Sequence, residues 1–277
     1  MRLSVVVVVV GCGRIDFDPH VDNAGCTLGP WGTPTRIAEL ATANDDWGGQ
    51  ITPDGLALYF NTERTIYVAR RPDRASMFGT PTTLPELGGG DQGNPSTTGD
   101  ELELYFDSNR AGDYSVWTAQ RSSPACAFGP PTQLAVLDVG ASATAPFVSP
   151  DGLRLYYMLG LPEGTLMWTS RASRTDAFVA GTPITGIVGT MHGTPALSAD
   201  QLSIYYDSGV NPTRDLSTAS RATIADPFAA ATQLSVDTAD DEADASITAD
   251  GLELHFASNR PGGPGGSDLY VAKRACM

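Results

Sequence analysis

The 277-residue sequence repeats one phrase five times. ITPDGLALYF (51–60), TTGDELELYF (97–106), VSPDGLRLYY (148–157), LSADQLSIYY (197–206) and ITADGLELHF (247–256) share a turn, an acid and an alternating apolar run. The turn acids Asp54, Asp100, Asp151, Asp200 and Asp250 recur every 46 to 51 residues, the length of one four-stranded blade. A second strand follows each copy, seen as TIYVARR, SVWTAQR, TLMWTSR, DLSTASR and DLYVAKR, and ends on Arg71, Arg121, Arg171, Arg221 and Arg274. Seven residues beyond the first four arginines stand Phe78, Phe128, Phe178 and Phe228, each opening a further segment such as FGTPTTL (78–84). The fifth copy lacks that segment, and its counterpart is WGTPTRI (31–37), which shares the run Gly-Thr-Pro-Thr. An N-terminal strand that completes the last repeat closes a ring and leaves no open sheet edge. The sequence therefore predicts an all-β, five-bladed β-propeller of four-stranded blades, its last blade closed from the N-terminus.

Residue chemistry within a copy agrees. Leu56, Leu58 and Phe60 alternate with Ala57 and Tyr59, the period of two of a strand. Both faces are apolar, as a blade packed between two neighbours requires. The Asp-Gly dipeptides supply residues able to take positive φ at the turn, so the repeated aspartates read as turn formers. Thirty Gly and twenty Pro fit many short strands and few helices.

These copies resemble the WD40-like (PD40, TolB-type) propeller repeat of exported bacterial proteins, whose consensus runs Ser-Pro-Asp-Gly, apolar-Tyr-Phe, Ser-x-Arg, Asp-Leu-Tyr-Val. The resemblance spans about residues 31 to 274 and implies a binding or scaffold role at the cell envelope. TolB carries six blades and a separate N-terminal domain, so its partner does not transfer to a chain with five repeats.

The start of the chain reads as an export signal. Met1 to Val10 (MRLSVVVVVV) places one basic residue before an apolar run, far short of the ~20 residues of a spanning helix. Val9-Val10-Gly11-Cys12 resembles a bacterial lipobox, and Gly13 after the cysteine fits outer-membrane sorting. The expected organisation is a signal peptide over 1–11, a lipidated tether over 12–25 anchoring the protein to the membrane through Cys12, and a propeller over 26–277. The product is expected to be a monomeric outer-membrane lipoprotein, periplasmic or at the cell surface. Cys276 stands two residues after Arg274, and Cys26, counted back from Trp31, occupies the same slot of the same blade. Two thiols so placed predict a Cys26–Cys276 disulfide in an oxidising compartment. Cys126 is then left as a free, partly buried thiol, and lipidation accounts for Cys12.

Function is sought at the rim opposite the turns. Eight residues before each turn aspartate stand Asp46, Gln92, Ala143, His192 and Glu242, flanked by Trp47, Asn94 and Asp244; Arg110 and Arg260 lie in other connections of that rim. This ring of acids, amides and arginines is the expected binding site for an envelope protein, peptide or glycan, with solvated loops as the plainer reading. The Asn-Arg pairs are expected to bond locally. No cofactor motif is present. Asp240, Asp241, Glu242 and Asp244 are oxygen donors of the kind Ca²⁺ takes, without the turn glycine and terminal Glu of an EF-hand loop. The alternative is a carbohydrate-active enzyme of the five-bladed glycoside hydrolase type, with Asp46, Glu242 and Asp244 as its acids. His20, His192 and His255 are too scattered for a zinc site, and no Ser-His nucleophile arrangement is evident. A formal net charge of -15 repels nucleic acid.

Overall fold

The computed structural model describes residues 26–160, 164–187, 193–209 and 212–277. The signal, tether and lipidation readings, together with His20 and His192, lie outside them. The described residues form five four-stranded antiparallel sheets. β1 (Thr35–Arg36) precedes the first blade, which runs β2 (Asp46–Ile51), β3 (Ala57–Thr62), β4 (Thr65–Arg70) and β5 (Thr82–Thr83). The second holds β6 (Gln92–Thr97), β7 (Glu103–Ser108), β8 (Ser115–Gln120) and β9 (Thr132–Gln133), and the third β10 (Ala143–Val148), β11 (Arg154–Leu159), β12 (Thr165–Ser170) and β13 (Thr182–Pro183). The fourth holds β14 (Ala196–Leu197), β15 (Ser203–Ser208), β16 (Asp215–Ser220) and β17 (Thr232–Gln233). In the fifth, β18 (Glu242–Ile247), β19 (Glu253–Ser258) and β20 (Asp268–Lys273) are completed by β1, with Thr35 opposite Val271 and Arg36 opposite Tyr270.

Both faces of each blade are buried because each seam has its own apolar core. Leu58 and Phe60 of the first blade meet Ala257 and Leu269 of the fifth, with Ile37 and Leu40 of the closing segment beside them. Tyr59, Leu104 and Phe106 join the first and second blades, and three further clusters fill the remaining seams. Burying a side chain the size of Leu58 or Phe60 contributes about 1.5–3 kcal/mol.

The repeated polar residues hold the turn rim. Asp54 accepts from the Thr52 hydroxyl at 2.6 Å and the Leu56 N–H at 2.9 Å, and Asp100, Asp151, Asp200 and Asp250 repeat the arrangement. Each repeat arginine stacks on the aromatic residue of its own blade, from 4.0 Å for Arg274 over Trp31 to 4.7 Å for Arg71 over Phe78. Its Nε donates to a turn carbonyl, as Arg71 does to Gly55 at 2.7 Å. The guanidinium then crosses to the preceding blade: Arg121 reaches the Tyr59 hydroxyl, Arg171 reaches Glu103, Arg221 reaches Tyr156, Arg274 reaches Tyr205 and Arg71 reaches Glu253. All five seams are thus stapled.

At the ring closure Leu28 pairs with Cys276, and the Cys26–Cys276 disulfide spans a Cα separation of 5.2 Å. The expectation for Cys126 is corrected, since Cys126 is itself disulfide-bonded. The tally of one cysteine per blade connection overlooked that a partner need not come from another blade.

Candidate functional site

The first strands of the blades line the axis. A strand at a sheet edge has unpaired N–H groups, and here the neighbouring blade supplies acceptors. The Ile51 N–H donates to Ser246 at 2.9 Å, the Thr97 N–H to Gln50 at 2.6 Å and the Val148 N–H to Ser96 at 2.9 Å. Above this layer β2, β6, β10 and β18 each lose register, between Trp47 and Gln50, Gly93 and Ser96, Thr144 and Phe147, and Ala243 and Ser246. Each contains one residue of positive φ, namely Gly48, Asn94, Ala145 and Asp244. These β-bulges swing residues out of the strand's alternation.

The bulges frame a cup of about 510 Å³. Beneath it Pro95, Pro146 and Pro195 line a throat of about 20 Å³, close to the size of a single water. The cup thus narrows sharply toward the turn rim.

Three buried aspartates form the polar frame. Seven residues after the turn acid, Asp107 accepts from Asn94 Nδ2 at 2.7 Å and, across the seam, from the Ala145 N–H at 2.9 Å. Asp207, at the same offset in the fourth blade, accepts from the Thr194 N–H at 3.1 Å and the Asp244 N–H at 3.4 Å. Asp244 accepts from the Gly48 N–H at 2.8 Å and the Thr194 hydroxyl at 2.5 Å. Arg214 makes a forked contact with Asp241, at 2.6 Å and 3.0 Å, lies 3.5 Å from Asp207 and sits 5.0 Å over the Trp47 ring. Burial raises the Asp207 carboxyl to about 6, with Arg214 opposing and the Asp244 charge adding. Burial also raises Asp107, against the hydrogen bonds from Ala145 and Asn94 and with a contribution from Asp244. Among the described residues no three His, Cys, Asp or Glu side chains are arranged to hold a metal ion.

Of the residues expected in the site, Trp47, Gln92, Asn94 and Asp244 line the cup. Asp46 and Glu242 do not. Each is fully buried and reaches back four residues: Asp46 accepts from the Thr42 N–H and hydroxyl at 2.9 and 3.0 Å, and Glu242 from those of Thr238 at 2.9 and 2.8 Å. Arg110 is held over Phe106 and Trp117 and donates to the Leu87 carbonyl; Arg260 lies over Phe256 and Tyr270 and donates to Glu242. The adjoining Asn109 and Asn259 accept from the Asp91 and Asp241 N–H groups, so the Asn-Arg pairs bond locally. The proposed acid trio Asp46, Glu242 and Asp244 does not converge at the mouth. Arg214, Tyr114 and Thr144 also line the cup; Tyr114 and Arg214 share with Arg64 the position seven residues before the repeat arginine, where the change of residue type from blade to blade hides the pattern.

Among the described residues the geometry defines a five-bladed propeller with a polar cup on the rim opposite the turns. No protein-family model and no curated protein matches the chain. Solved structures do. A putative TolB from Agrobacterium tumefaciens is 15% identical over 84% of this chain and 78% of that one, with a TM-score of 0.53. TolB from Acinetobacter baumannii is 14% identical over 86% of this chain, which spans only 56% of that protein, with a TM-score of 0.55. The catalytic domain of the GH62 α-L-arabinofuranosidase of Coprinopsis cinerea is 10% identical over 90% of this chain and 98% of that one, with a TM-score of 0.62. At such identities the likeness is one of fold.

Proposed function

We propose that this propeller is an exported, non-catalytic binding module of the bacterial cell envelope whose cup receives a small polar ligand or the end of a partner's chain. The observation that carries this reading is that the buried carboxylates of the cup are already engaged by backbone N–H groups of the bulges, Gly48 on Asp244, Ala145 on Asp107 and Asp244 on Asp207. A general acid or nucleophile must be free to reach its substrate, whereas these groups are committed to fixing the walls. Export accords with the disulfides at Cys26–Cys276 and at Cys126, bonds that persist in oxidising compartments. Cys26 lies on the turn rim, so the cup faces away from the point where the N-terminal segment joins the ring.

A thermal-shift survey over glycans, peptidoglycan fragments and envelope-protein peptides tests the proposal, because a ligand that binds only the native state raises Tm. At least one class should raise Tm for the wild type and lose the effect in Trp47→Leu, which keeps apolar packing and removes the indole. A survey without any response, or one that Trp47→Leu leaves intact, moves function away from the cup.

A second reading, a carbohydrate-active enzyme, is favoured by one observation: Asp207, raised to about 6 beside Asp244, is a carboxyl able to hold a proton near neutrality. Under it the protein hydrolyses aryl glycosides and Asp207→Asn abolishes turnover. Under the first reading neither protein shows turnover.

A further inference from the structure

We infer that the ligand of the cup is an organic cation, an alkylammonium or guanidinium group carried by a free polyamine or by a basic peptide. This inference rests on the proposed binding role of the same cup. The charges of the lining are unequal. Asp45, Asp91, Asp107 and Asp244 face Arg64 and Arg214, and both arginines are already occupied. Arg64 is paired with Asp91, and Arg214 is held by its forked contact with Asp241 and its approach to Asp207. Arg214 is thus engaged within the wall, and Arg64, whose side chain is 73% exposed, is held only by Asp91 among the described residues. Asp107 and Asp244, by contrast, are buried and accept hydrogen bonds from neutral donors only: Asn94 and Ala145 for the first, Gly48 and Thr194 for the second. Among the described residues Asp107 has no cationic partner, and Asp244 shares Arg214 with Asp207 and Asp241; acids in such excess in a confined cup focus a field that attracts cations.

A second observation points to a missing partner. Thr144 lines the same cup, is 5% exposed, and its hydroxyl has no hydrogen-bond partner. A buried hydroxyl in that condition costs about 1–3 kcal/mol, and a rotation of the Thr144 side chain that brings Oγ1 to the cup lets an ammonium or guanidinium N–H remove that cost. The cup volume of about 510 Å³ suits a small ligand or one extended side chain.

The test uses isothermal titration of the oxidised protein with four probes: spermidine, a lysine-containing tripeptide, the same peptide acetylated on both amines, and glutarate. Spermidine, the unmodified peptide or both should bind. The acetylated peptide and glutarate should not. Affinity for the cation should fall as salt is raised and drop at least tenfold in Asp244→Asn. Because Asp244 also anchors Gly48, Asp45→Asn provides a second variant on an exposed wall, and it should weaken cation binding by two- to fivefold without altering Tm. Binding of spermidine alone identifies a free polyamine, and binding of the peptide alone a peptide partner. If neither cation binds while a neutral glycan or the acetylated peptide does, the cation inference is overturned and the binding role of the cup stands. If no probe binds and the wider ligand survey is also silent, both fall.

Discussion

A buried guanidinium such as Arg171 has four attachments: the ring of Phe178 at 4.6 Å, the Gly152 carbonyl at 2.7 Å, the Arg174 carbonyl at 3.0 Å, and Glu103 of the preceding blade at 2.5 Å. Removing it leaves Glu103 buried, with Arg174 and Tyr105 as its remaining partners. Arg171→Ala should therefore cost about 3–5 kcal/mol, read as a lower urea midpoint at an unchanged slope. Asp207 offers a test in pH. Its folded-state value of about 6 lies above the ordinary 3.8, so the folded protein holds this proton more tightly than the unfolded chain. The associated stability is complete below pH ~4 and is lost as pH rises through about 6. Asp207→Asn cannot ionise, so its Tm relative to wild type should climb between pH 4 and pH 6.5. Parallel Tm curves across that window would show that Asp207 ionises normally.

At the level of the strand, the bulge decides which side chains face the cup. The repeats were legible because Asp-Gly turns, alternating apolar residues and terminal arginines are local signals, and they gave the five blades, the closing strand and the Cys26–Cys276 bond. The same counting placed Asp46 and Glu242 at the mouth because it assumed unbroken strands. The bulges put the cup-facing positions two residues later, at Asn94 and Asp244, and hand Asp46 and Glu242 to their own loops. A signal was present: Pro95, Pro146 and Pro195 lie in or beside first strands, and proline within a strand marks an edge or a bulge. Asp107 and Asp207 were legible as polar residues of this rim at one offset from their turn acids, with Asn61, Met158 and Ala257 at the equivalent positions; their burial was not. The strand-level prediction is a pair of opposite sign. A Cβ on Gly48, at φ +64, would lie 2.4 Å from Asn61 Oδ1 and 3.1 Å from the Asn94 backbone. Gly48→Ala should destabilise by about 1–3 kcal/mol. Ala145 already occupies φ 50, and Ala145→Gly should be neutral or stabilise by up to about 1 kcal/mol. Urea denaturation of the two variants checks both.

For the molecule as a whole, the disulfide joins residues 250 apart, and in the chain-entropy account a loop of that size contributes about 5 kcal/mol. The Cys26→Ser/Cys276→Ser variant should lose stability on that scale in urea while keeping its β-sheet circular dichroism, since β1 remains hydrogen-bonded to β20. The order in which the ring is assembled has a consequence for synthesis. The strand that completes the fifth blade is made first, and its three partners are made last. A chain released before β20 has been added carries β1 with nothing to pair with, a Cys26 thiol without its mate, and a seam core with one wall missing. Exposed edges and apolar surface are what make partly folded chains aggregate. Joining the two ends in one blade thus makes sealing of the ring wait on the last strand made.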